Sequence, residues 1–144
     1  MINGKFFGHK NADQDAMSVS KRPKYLNLMK IRLPVPGLVS ILHRVSGFGM
    51  FLFAGAMLWL LQMVLQSPET FEQVRECAQS WVGRLFLTGM TWAFLHHFFA
   101  GIRFLLLDIH IGTELETTRR MSWLVLFLGI AGTLIVGAKI WSIV

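Results

Sequence analysis

The chain has 144 residues, enough for one domain. Hydrophobic residues make up 53% of it and charged residues 15%, against soluble averages of about 45–50% and 25%, and its mean hydropathy is +0.52. Its polar groups cannot cover its apolar surface, which excludes an ordinary soluble monomer. The single cysteine, Cys77, excludes an intrachain disulfide framework, an all-cysteine metal cluster and C-x-x-C-H attachment of a c-type haem.

Residues 1–37 are expected as a cytoplasmic N-terminal segment, and residues 38–144 as a three-helix transmembrane domain. Met1 to Ser20 carry Asp13 and Asp15 and no apolar run, unlike a secretory signal or an Arg-rich transit peptide. A bacterial inner membrane is the expected address. Pro34 to Gly37 punctuate the approach to the first span.

Three charge gaps follow. Val45 to Pro68 contains no ionisable residue; Leu85 to Ile102 is broken only by His96 and His97; Met121 to Ala138 is again uncharged. A helix crosses the hydrocarbon core with roughly 20 apolar residues. Spans are expected over about 40–66, 82–107 and 121–143, and the fold class is all-α. Eight basic residues precede the first span (Lys5, Lys10, Lys21, Arg22, Lys24, Lys30, Arg32 and Arg44), whereas the loop after it holds only Arg75 and Arg84. Positive-inside counting puts the N-terminus in the cytoplasm and the C-terminus in the periplasm. The basic residues are scattered and lack interleaved aromatics, so the charge of +6 signals topology and lipid contact rather than nucleic acid.

Ionisable groups in or beside a span are functional candidates. The first cluster opens span one: Ser40, His43, Arg44, Ser46 and Gly47. Ser40 and Arg44 are i and i+4 on one helix face, and His43 and Gly47 form another such pair about 100° away. A hydroxyl beside a guanidinium suits an oxygenated ligand such as a quinone carbonyl; equally, Ser40 can cap the helix while Arg44 reaches lipid phosphates. The second cluster lies in span two, where His97, Gly101, Phe104 and Asp108 form one stripe. A neutral imidazole there can ligate haem iron or hydrogen-bond across helices. His96 points about 100° away, so both histidines cannot serve one iron. Cys77, in the loop between spans one and two, and His110 receive no role.

Together the two clusters resemble the cytochrome b subunit of succinate dehydrogenase, a small membrane anchor. The resemblance runs from about Arg22-Pro23 to the C-terminus. It is carried by SILHRVSG at Ser40 to Gly47 and by HFFAGIRFLLLD at His97 to Asp108, which is similar to the family's H-x-x-x-G-x-R-H-x-x-x-D. It implies His97 as the axial ligand of haem b, with His43 and Arg44 near the haem propionates. It implies Ser40 and Arg44 at the ubiquinone site of succinate:ubiquinone oxidoreductase. It further implies a heteromeric helical bundle with a second small anchor subunit sharing the haem, beside an iron–sulfur subunit and a flavoprotein subunit that carry the catalysis. Phe104 departs from the pattern, which often has histidine there. The alternatives are the anchor of a fumarate reductase and a haem-free structural or transport subunit.

Overall fold

A computed structural model describes residues 33–142 of the chain. Residues 1–32, and with them most of the expected cytoplasmic segment and six of its basic residues before Leu33 other than Arg32, lie with Arg32 itself outside the described residues, as do residues 143 and 144. Four helices follow in order: α1 Val35–Gln66, α2 Pro68–Gln79, α3 Trp81–Asp108 and α4 Leu115–Ser142. The protein is all-α, and α1, α3 and α4 are each long and apolar enough to cross a membrane.

Helix α1 starts earlier than the charge gap alone suggests. Pro34 occupies the N-cap in an extended conformation and Pro36 falls in the first turn, where a missing N–H costs nothing. The Pro34 carbonyl accepts from Gly37 and Leu38 N–H at 2.9 and 3.2 Å. Ser40 is therefore inside the helix, more than a turn past its start, and does not cap it. Likewise α4 begins at Leu115 rather than near residue 121, because its polar first turns extend the apolar run.

The stretch between the first two spans is helical rather than a loop. Ser67 and Thr70 form a reciprocal capping box, with Pro68 at the first helical position, and Thr70 Oγ1 also donates to the Met63 carbonyl at the end of α1. Cys77 is exposed on this short helix. Ser80 then caps α3, its hydroxyl accepting from Gly83 N–H at 3.1 Å. Between α3 and α4, His110 and Gly112 have φ of 64° and 80°. A left-handed residue is cheap at glycine and tolerated by histidine. Thr118 Oγ1 closes the turn by donating to the Gly112 carbonyl at 2.6 Å.

The three long helices meet through small residues, as membrane bundles do when no hydrophobic drive separates protein from lipid. Val39 of α1, Ala100 of α3 and Val125 of α4 form the buried core, with Phe99, Phe104 and Leu126 against it. Gly129, Gly132 and Gly137 of α4 let α3 approach: a Cβ on them would stand 3.5 Å from His96 Cα, 2.9 Å from Leu95 Cδ1 and 3.6 Å from Thr88 Cγ2. Hydroxyls at Thr88, Thr91, Ser122 and Thr133 donate to carbonyls one turn back on their own helices, so they are satisfied without water. At the α4 C-terminal end, Trp141 Nε1 donates to Thr88 Oγ1 at 3.3 Å, beside the Arg84 guanidinium.

Candidate functional site around His43 and His97

His97, midway along α3, faces α1 where the backbones come close. Its ring stacks on that of His43, with centroids 4.0 Å apart and planes 14° apart. Its Nδ1 lies 3.0 Å from the His43 carbonyl oxygen. A carbonyl only accepts, so Nδ1 carries the hydrogen and the lone pair falls on Nε2. The buried Ser46 hydroxyl donates to the same carbonyl at 3.0 Å and sits 3.4 Å from Nδ1. The His43 carbonyl would otherwise accept only within α1; here it also fixes the tautomer and orientation of the imidazole across the interface.

Two glycines make room for the pair. A Cβ at Gly47 would lie 2.6 Å from His97 Cε1 and 3.0 Å from its Nδ1, closer than any side chain allows, and one at Gly101 would touch His43 Nε2 at 3.7 Å. Phe104 tilts against His43 at 5.1 Å. One turn from Gly47 and from His97 begins an apolar groove of about 560 Å³, bordered by Met50, Met57, Met90 and Phe94. The donor set therefore fits an apolar, metal-bearing group: a neutral imidazole held at Nδ1 by a carbonyl, which is how metal-ligating histidines are commonly oriented, seated on Gly47 beside the apolar groove.

The structure brings together His43 and His97 but not every residue singled out from the sequence. Ser40 is half-buried and Arg44 exposed on another face of α1, and neither makes a side-chain hydrogen bond with another described residue. Asp108 and His110 are exposed at the far end of α3.

His96 has the opposite environment. It is fully buried, stacked on Trp92 at 5.4 Å and packed against Gly129. It lies beside the Val39 backbone, yet neither ring nitrogen makes a hydrogen bond of acceptable geometry. Sequence reasoning left two contributors unassigned. Ser46 shares its motif with Ser40 and is the serine that reaches His97. Arg103, within the second motif, is almost fully buried; a charge inside an apolar span is a signal that could have flagged it.

Three helices long and apolar enough to cross a membrane, with a histidine pair seated on glycines, define a membrane-spanning helical protein. The comparisons with known proteins specify which kind. The family described as succinate dehydrogenase/fumarate reductase transmembrane subunit matches residues 18–136, and the chain belongs to that family. It is 36% identical to a succinate dehydrogenase cytochrome b556 subunit of Paracoccus denitrificans, over 70% of this chain and 78% of that one. It is 32% identical to the protein of the same description from Coxiella burnetii, over 85% of this chain and 98% of that one. A Rickettsia felis relative, also so described, is 26% identical over 81% and 90% of the two chains. As a transmembrane subunit the chain is not an enzyme by itself.

Proposed function

We propose that this chain anchors succinate:ubiquinone oxidoreductase in the bacterial inner membrane, ligates haem b through His97, and contributes Ser40 and Arg44 to the quinone pocket. The observation that carries the haem assignment is the His97 Nδ1 bond to the His43 carbonyl, which leaves Nε2 as the ligating nitrogen. Gly47, against the same ring, supports it. The cytochrome b556 names of the relatives favour haem b. Bound there, haem supplies a one-electron relay. His97 would hold the group through Nε2, and a second small anchor subunit would share it, since His96 is buried against Gly129 and Trp92. His43 stands beside His97, and Arg44, one residue on, offers a positive charge to a propionate.

Ser40 and Arg44 share a face at the end of α1 that the basic N-terminal segment assigns to the cytoplasm. Peripheral iron–sulfur and flavoprotein subunits would meet the membrane on that side. Arg44 donates a charge-assisted hydrogen bond to a quinone oxygen and stabilises negative charge developing on it during reduction; Ser40 adds a neutral hydrogen bond. The family description covers fumarate reductase as well, so the anchor of an enzyme running in the reverse direction is the second reading. Comparing succinate-driven with fumarate-driven turnover in membranes separates the two.

The quinone assignment is tested in membranes with matched complex content. Arg44→Leu and Ser40→Ala should lower quinone-linked succinate oxidation, the arginine more, while turnover with a soluble acceptor persists. Parallel loss of both activities would place these residues in assembly. Retention of both would leave Arg44 as a lipid contact.

A further inference from the structure

Arg103 lies five residues before the end of α3 and is 4% exposed. No ion pair among the described residues includes it; the two present, Arg75–Glu72 and Arg120–Glu116, are on open surface. Its Nε has no hydrogen-bond partner among the described residues, and Phe99, Met121 and Val125 border the space around it between α3 and α4. A charge left this way inside a span is costly and calls for a use.

Its guanidinium does meet an aromatic ring. The guanidinium carbon stands 5.3 Å from the Phe104 ring centroid, within range of a cation–π attraction. The Phe104 ring is also the one tilted on His43 at 5.1 Å, and His43 stacks on His97 at 4.0 Å. Three successive contacts thus join the guanidinium to the imidazole. Phe104 is the position at which the chain departs from the family's histidine. A phenyl ring offers faces to both Arg103 and His43, where a protonated imidazole would repel the guanidinium.

We infer that Arg103 and Phe104 are positioning residues for His97: Phe104 braces His43 against it, and Arg103 places behind that stack a positive charge with no ion-pair partner among the described residues. The charge raises the reduction potential of the group His97 ligates, because a nearby cation in a low-dielectric site favours the less positive, reduced state. This inference rests on the haem reading above.

The test is a redox titration, with the low-spin electron paramagnetic resonance signal recorded alongside, on the whole complex in membranes. Arg103→Gln should lower the midpoint potential of the b-type centre, and Arg103→Lys should keep it near the wild-type value. Phe104→Leu should shift or broaden the low-spin signal, and Phe104→Tyr should restore it. An assembled Arg103→Gln complex with an unchanged potential overturns the inference. If that variant does not assemble, the Phe104 pair decides, and an unchanged signal in Phe104→Leu overturns it. Absence of any b-type centre from the wild-type complex would instead overturn the haem reading itself.

Discussion

The two interfaces of α3 differ although they are built from adjacent residues. The α3–α4 interface is closed: His96, Ala100 and Ser122 are fully buried there and Gly129 lies directly against His96. The α1–α3 interface runs from the buried Val39 and Ala100 past Gly47 to the Phe53–Phe86 ring contact at 5.0 Å, but much of the rest of α1 is bare. Phe48, Phe51, Leu52 and Trp59 are all more than half exposed, and a Cβ at Gly49 or Gly55 would meet nothing within 4 Å. The α3–α4 contact is finished within this chain, while α1 keeps apolar surface that a membrane-embedded partner can complete. Neighbouring histidines about 100° apart on a helix are thereby separated into a fully buried packing residue and the partly exposed one proposed as a ligand.

The largest effect expected from breaking this contrast is at Gly47. Gly47→Leu would drive a side chain into His97, so the assembled complex should lose or severely alter its b-type spectrum. Gly49→Leu, two residues away, meets open space and should leave the spectrum of the assembled complex intact. Optical spectra of the two variants, normalised to flavin content, make the comparison.

On the closed interface, Gly129→Leu should act on stability instead. Overpacking of this kind costs about 1–3 kcal/mol, read as a lower thermal midpoint of the complex while the haem band keeps its position. A displaced band in this variant would show that the two interfaces are not independent.

The smallest effect is expected at Ser46. Ser46→Ala removes the hydroxyl that donates to the His43 carbonyl but leaves that carbonyl to His97 Nδ1. A neutral hydrogen bond of this kind contributes about 0.5–1.5 kcal/mol. A slight drop in thermal midpoint with a normal spectrum is the expected result; loss of the spectrum would make Ser46 the group that orients His97.

Much of this was legible in the sequence because the signals are strong and local. Uninterrupted apolar runs gave α1, α3 and α4, and the resemblance of the His97 to Asp108 stretch to the family's motif was what singled out His97 over His96. What was not legible depends on polar segments and on long-range contact. Helix α2 is polar enough to read as a loop, and only its Ser67–Thr70 cap and its tie to Met63 show why it is a helix. The Ser46 role required knowing that α1 and α3 meet at Gly47. Spacing places Ser40 and Arg44 on one face, but no spacing could show that Ser46 would be the serine to reach His97, or that Arg103 would be buried without a counter-charge.

The central claim is that His97, and not His96, is the ligating histidine of this chain. Reduced-minus-oxidised spectra of the complex carrying His97→Leu or His96→Leu test it most directly. His97→Leu should abolish or grossly change the b-type band. His96→Leu should preserve it with stability little changed, since neither buried ring nitrogen makes a hydrogen bond among the described residues. A band lost with His96→Leu and kept with His97→Leu would contradict the account.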